Sequence, residues 1–331
     1  MTMKKAIVTG GAGFVGSHMA EHLLKNEFNV IAIDDMSNGQ YDNVKIFEDN
    51  PNYEFHKIDL SQEFDERLFN GAVYVFHMAA LADIVPSVKK PLKYHNANVN
   101  TTIRALEASR KHKIKKFVFS GSSTSYGIPD KYPTPEDAEI RPKYPYAFTK
   151  HIAEEYVLFW GMLYNLPVIS LRYFNIFGTR ARSNDTYGAV FKVFLSQKLH
   201  NKPLTIVGDG SQTRDFTYVT DIARANLMAA ESNISGEVIN IGTGKPQSIN
   251  YLAKLIGGPT VNVPKRPGEP HSTHADIIKA KKLLKWEPKV SFEEGVKIML
   301  DNIDYWKGTT VWDEESIAEA TKEWFKYLKE G

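Results

Sequence analysis

The chain has 331 residues, 42% of them apolar, with 41 basic against 39 acidic side chains, a net charge of +2 and no cysteine. That length buries a full core, as one large domain or two closely joined ones, while the balanced charge offers no electrostatic footprint for nucleic acid. Without cysteine there is no disulfide framework, thiolate metal site or cysteine acid/base, which fits a reducing compartment. The apolar stretch behind Lys4 and Lys5 is broken by Gly10, Gly11, Gly13 and Gly16, unlike a signal peptide, and no run reaches the length of a membrane span. A soluble, cytoplasmic protein is expected.

Short, near-continuously apolar runs alternate with amphipathic stretches through the first half. Strands are predicted at 5–9, 29–34, 53–58, 73–77, 116–120 and 167–172, each apolar enough to be covered on both faces. Helices are predicted at 14–26, 97–112 and 146–163. Repeated βα units imply an α/β fold, a doubly wound parallel sheet over 1–173. Beyond residue 173 the rhythm gives way to loops rich in Gly, Asn, Thr and Pro, with helical stretches near 186–200, 219–231, 247–256 and 276–285. This smaller mixed region, 174–331, reads as substrate-binding, except that 237–241 is a strand that could return to the main sheet. Residues 313–330 read as an amphipathic helix, bearing Trp324, Phe325 and Leu328, packed on the surface.

Where the first strand should turn into the first helix stands Thr9-Gly-Gly-Ala-Gly-Phe-Val-Gly16. Missing side chains at Gly10, Gly13 and Gly16 let backbone approach a pyrophosphate, whose charge then sits on the helix N-terminus. Glycine clusters also make ordinary turns, so the flanking strand and helix are the informative context. Asp34 ends the second strand and is followed by Asp35, where carboxylates accept ribose hydroxyls and repel a 2′-phosphate. NAD is therefore the expected cofactor.

Tyr146 and Lys150 lie one helical turn apart and face the same way. Ionising a tyrosine near pH 7 means lowering its pKa by roughly 3 units, about 4 kcal/mol, and Lys150 with a positive nicotinamide would be the sources. Together with the glycine turn, Tyr146-Ala-Phe-Thr-Lys150 and the serine-rich Ser120-Gly-Ser-Ser-Thr-Ser-Tyr-Gly127, the chain resembles the extended short-chain dehydrogenase/reductase family, most closely its nucleotide-sugar 4-epimerases. The resemblance covers essentially the whole chain and implies a Rossmann-type sheet.

The resemblance also implies roles. Ser122, with Thr124 as fallback, would relay the proton of the sugar hydroxyl to Tyr146. Asp59 and Leu60 would hold the adenine, Met78, Ala79 and Ala80 would line the dinucleotide, and Asn98 would support it. Phe14, Val15, Asn38, Ser120 and Tyr173, with Tyr146 and Lys150, would complete the cofactor site. Asn175 would donate to a sugar-nucleotide diphosphate, which Arg214 and Arg266 would clamp with their planar forks, while Glu269 would accept from the nucleoside ribose. Thr273 occupies a position that gates bulk at C2 of the sugar; being small, it allows UDP-glucose/galactose and their N-acetylated counterparts, and 180–191 resembles the N-acetylhexosamine enzymes.

The resemblance further implies a homodimer through 97–112 and 146–163. A 4,6-dehydratase would carry Asp-Glu where this chain has Ser123-Thr124, and a decarboxylase a glutamate at Thr124, so both are rivals of lower rank. A non-catalytic NAD-binding sensor has no use for Tyr146, Lys150 and both arginines. No metal is expected: the pairs His18/His22 and His271/His274 lack a third ligand.

Overall fold

Alternate residues of each central strand leave in opposite directions, and both directions are covered. On one side Ala6, Val8, Val30, Val118, Ile169 and Leu171 meet Met19, Ala20 and Leu23 of the first helix and Ile222, Ala223 and Leu227 of a later one. On the other, Ile7, Ile31, Ile33, Val75, Phe117 and Phe119 meet Ala105, Leu106, Ala153 and Val157. This two-sided burial explains why the strands read as apolar runs.

The structure, a computed structural model, describes residues 3–181 and 187–328. Its main sheet contains β1 (Lys4–Thr9), β2 (Phe28–Asp34), β3 (Tyr53–Lys57), β4 (Ala72–His77), β5 (Lys116–Ser122), β6 (Val168–Tyr173) and a seventh strand, Glu237–Ile241. The order is Glu237–Ile241, β6, β5, β4, β1, β2, β3, every pair parallel. After β3 the chain crosses to the far side of β1, so the carboxyl ends of β1 and β4 diverge into a crevice, the place where open α/β sheets bind ligands.

Helix α1 (Phe14–Lys25) follows β1 directly. The predicted helix at 97–112 begins as a wide π-turn, Asn96–Asn100, before regular helix Thr101–Lys111. The predicted 146–163 is Pro145–Tyr164, with proline in its first turn and Asn165 in the left-handed conformation at its end. The stretch near 276–285 is helical only over 278–284, most of it the short π-turn Ala280–Leu284, and the one near 186–200 is helical over Val190–Leu199. Residues 182–186, part of the segment compared with N-acetylhexosamine enzymes, lie outside the described residues.

Past β6 a second core forms around Phe177, Phe191, Phe216 and Phe292, whose rings stack or meet edge-on 4.7–6.2 Å apart. Three two-stranded ribbons cross it: Asn175–Phe177 with Phe216–Tyr218, Leu204–Val207 with Thr260–Val263, and Thr213–Arg214 with Gln247–Ser248. Helices Val219–Glu231, Phe292–Asp301 and Glu314–Tyr327 complete the region. Among the described residues, no helix is long and apolar enough to cross a membrane.

Candidate active site

A cleft of about 1000 Å³ runs from the β1–α1 turn across the ends of β4 and β5 to the loops past β6. At the turn, the first N–H groups of α1 have no side-chain cap, and the first turn carries no acidic residue. An anion can therefore use them directly. The glycines are demanded partly by the protein itself: a Cβ on Gly10, whose φ is +70°, would stand 2.7 Å from Ala79 N, and one on Gly16 would stand 2.0 Å from Gly10 O. Gly13 lines the cleft with more room, its nearest contact at 3.1 Å.

Asp34 is 8% exposed, and its carboxylate accepts from Ala12 N at 3.1 Å and Met36 N at 2.8 Å. Burial raises its pKa and these N–H bonds oppose the rise. The carboxylate is thus held at the cleft rim with acceptor capacity to spare, as a ribose diol requires. Asp35 is exposed and accepts from Ser37 N. Phe14, Val15, Asn38, Asp59, Leu60, Met78, Ala79, Ala80 and Tyr173 also line the cleft.

Thr9 Oγ1 accepts from Met78 N and Ala79 N at 3.1 and 3.2 Å, so its own proton goes to His77 Nδ1 at 2.8 Å. His77 Nε2 then donates to Thr102 Oγ1 at 2.9 Å, and Thr102 donates to Asn98 O at 2.6 Å. Burial pushes His77 down to about 3, so this chain of bonds is neutral. No local sequence pattern announced it.

Three predicted cofactor residues do not line the cleft. Asn98 is 1% exposed and bonds Leu81 N at 2.8 Å, Leu81 O at 3.2 Å and Thr149 Oγ1 at 3.0 Å. It holds the loop after β4, and the wide π-turn turns it inward. Ser120 Oγ faces the Tyr173 hydroxyl at 3.2 Å, which donates to Asn226 at 2.9 Å. Lys150 lies behind the wall with Nζ 4.3 Å from the centre of the Phe119 ring.

In the middle of the cleft, Ser122 Oγ stands 2.8 Å from Thr124 Oγ1 and 3.4 Å from Tyr146 OH. Burial pushes Tyr146 up, against the Ser122 hydrogen bond, and the charge of Asp83 pushes it further up. Burial brings Lys150 down to about 7, with Glu154 opposing. Glu154 is engaged by Arg172 at 2.5 Å and Ser170 at 2.6 Å. Among the described residues, the metal-like cluster is His151, Glu154 and Glu155, and those bonds already occupy Glu154. His18 bonds Thr179 O, and His274 bonds Gly244 O.

At the far end, Asn175 Oδ1 accepts from Thr273 Oγ1 at 2.7 Å, leaving Nδ2 as a donor, and Thr273 Oγ1 accepts from Asp215 N at 3.0 Å. Glu269 lies between two arginines, 3.0 Å from Arg266 Nε and 3.8 Å from Arg214 Nη2. Burial lowers the Arg214 pKa, and Glu269 offsets this. All eight predicted catalytic and substrate residues other than Lys150, namely Ser122, Thr124, Tyr146, Asn175, Arg214, Arg266, Glu269 and Thr273, share this cleft. Asp83, Tyr144, Tyr187, Lys192 and Gln212 line it too and went unpredicted. Asp83 follows the end of β4, where ligands of such sheets bind, and Gln212 stands two residues before Arg214; Tyr144, Tyr187 and Lys192 carry no motif.

The NAD dependent epimerase/dehydratase family matches residues 6–242. A putative UDP-glucose 4-epimerase of Methanocaldococcus jannaschii is 38% identical over 300 residues, 88% of this chain and 95% of that protein. A UDP-N-acetyl-alpha-D-glucosaminuronate decarboxylase of Bacillus cytotoxicus is 34% identical over 89% of this chain and 96% of its own length. Among solved structures, the UDP-N-acetylglucosamine 4-epimerase of Methanobrevibacter ruminantium, in complex with UDP-N-acetylmuramic acid, superposes with a TM-score of 0.85 at 35% identity, covering 91% of this chain and all of that one. The UDP-glucuronic acid 4-epimerase of Bacillus cereus, in complex with UDP-glucuronic acid and NAD, gives 0.84 at 34% identity, covering 91% and 99%. An uncapped helix N-terminus over a glycine turn, a rim carboxylate and a cluster of the Ser122, Thr124 and Tyr146 hydroxyls thus belong to a member of the NAD-dependent nucleotide-sugar epimerase/dehydratase family, with NAD as its cofactor.

Proposed function

We propose that this enzyme is a nucleotide-sugar 4-epimerase that inverts C4 of a UDP-hexose or UDP-N-acetylhexosamine, with NAD bound throughout. The observation that carries this reading is the hydroxyl-only array Ser122, Thr124 and Tyr146, 2.8 and 3.4 Å apart. Elimination of water or loss of a carboxyl group would be served by an acid/base beside Ser122, and the turn that follows β5 has Ser123 and Thr124 there.

NAD bound in the cleft supplies a reversible two-electron acceptor at C4 and a positive ring that favours a Tyr146 phenolate. Tyr146 takes the O4 proton through Ser122, and the Lys150 ammonium steadies the resulting charge. The 4-keto sugar turns over, hydride returns to C4 on the opposite face, and Tyr146 returns the proton to O4. For that rotation the sugar must be held loosely and the diphosphate firmly, a division that suits Asn175, Arg214 and Arg266. Glu269, between both arginines, would turn to the nucleoside ribose as the diphosphate takes its place. Thr273 is small and lines the cleft, which supports N-acetylated sugars alongside plain hexoses.

The protein is also proposed to be a cytoplasmic homodimer, paired through Pro145–Tyr164, whose outer face exposes Phe148, Phe159, Met162 and Leu163. Incubation with UDP-, GDP-, CDP- and dTDP-sugars, with products followed by NMR, is expected to yield a C4 epimer of a UDP-sugar. A 4-keto-6-deoxy sugar, a pentose from UDP-glucuronate, or no turnover would overturn the reading. Tyr146→Phe is expected to lower turnover by about 10²–10⁴-fold while NAD stays bound.

A further inference from the structure

Arg266 and Glu269 sit on an irregular loop that turns through Gly268, φ +75°. Such a loop aims a guanidinium well only if something else holds it. The C-terminal segment does so from two directions.

Helix Glu314–Tyr327 is fixed at its start by a capping box between Asp313 and Ser316, and its buried residues Ile317, Thr321 and Trp324 recur at helical spacing on one face. Trp324 is fully buried. Its indole N–H donates to Pro267 O, at 2.9 Å, between Arg266 and Gly268. Its ring lies 5.5 Å from that of Tyr144, the residue that precedes the helix bearing Tyr146 and Lys150. Just ahead of the helix, Trp312 is held by Gln197, which donates to its carbonyl at 2.7 Å. Its ring meets Tyr187 edge-on at 5.3 Å, and Arg266 lies 5.3 Å over that same Tyr187 ring. One tryptophan therefore grips the loop backbone and the other backs the aromatic plate on which the arginine rests.

We propose that Trp312 and Trp324 are positioning residues that pre-aim Arg266 at the substrate's diphosphate. An arginine ordered before the ligand arrives loses less freedom on binding, so the contribution appears in affinity. The inference rests on the reading of Arg266 as a diphosphate clamp. Neither tryptophan is among the residues lining the cleft.

The test uses the NAD-loaded protein, with UDP titrated by calorimetry and steady-state kinetics on whichever UDP-sugar it turns over. Trp324→Phe, which removes the N–H donor and keeps a ring, and Trp312→Leu, which removes the edge contact, are each expected to raise the UDP Kd and the substrate KM about fivefold. The kcat and NAD content should change far less than KM, and Trp312→Phe should restore most of the affinity. Unchanged UDP affinity in both variants, with Arg266→Ala weakened, overturns the proposal and leaves the clamp reading standing. A fall in kcat at constant KM also overturns it, since the helix would then act on Tyr146 through Tyr144. If Arg266→Ala itself binds UDP normally, the clamp reading falls and takes the proposal with it.

Discussion

Lys150 is 5% exposed and rests on the Phe119 ring, so its charge is held where burial disfavours it. Its pKa of about 7 lies below the 10.5 of an exposed lysine. Below pH 7 the ammonium is charged in folded and unfolded chains alike and the full burial cost applies; from 7 to 10.5 the folded chain has already released the proton and the cost shrinks. Lys150→Met is therefore expected to raise the melting temperature of the NAD-free protein more at pH 6 than at pH 9.5, and an equal gain at both would contradict this account. The sequence placed Lys150 one turn from Tyr146, since helical spacing is local. It could not show that burial, and not attraction between the two, dominates each group alone, because Phe119 and Asp83 arrive from other elements. Asn98 and Ser120 carry the same lesson: their types and positions were legible, yet the directions their side chains take are set by Leu81, Thr149 and Tyr173.

Among elements, Pro145–Tyr164 shows most directly how one helix serves two surfaces. Ala147, Lys150, Ala153 and Val157 are buried; on the outside Phe159 and Leu163 are exposed, and Met162 is 73% exposed. Such a contiguous apolar face is uncommon on a monomer. Phe159→Asp with Met162→Asp is expected to convert a dimer into a monomer by light scattering, leaving bound NAD in place; a wild-type monomer would refute the proposed pairing. Strand and helix boundaries of the first half were readable because apolar periodicity is a local signal. The ribbon joining Leu204–Val207 to Thr260–Val263 was not, since its partners are far apart in sequence and neither run has an alternating pattern long enough to stand out. The π-turn at Asn96–Asn100 was likewise hidden, since helix runs into it from Pro91–His95 and out of it through Thr101–Lys111.

At the scale of the molecule, the proposed division of labour between the sheet half and the later loops does not follow chain connectivity. Glu237–Ile241 pairs in parallel with β6, and Val219–Glu231 covers the sheet face that α1 shares. A polypeptide ended after Tyr173 would leave Ile169 and Leu171, both fully buried in the intact protein, without that cover. It is expected to pellet as aggregate on expression, and a soluble, NAD-binding 1–173 fragment would disprove this. The same seventh strand also imposes a timetable on synthesis. Translation places roughly sixty residues between β6 and its outer neighbour, which at about 5–20 residues per second is some seconds of waiting with an unpaired strand edge. During that interval the nascent chain has its glycine turn and the helix bearing Tyr146 but an uncovered edge on β6, which is open to pairing with another chain until Glu237–Ile241 arrives.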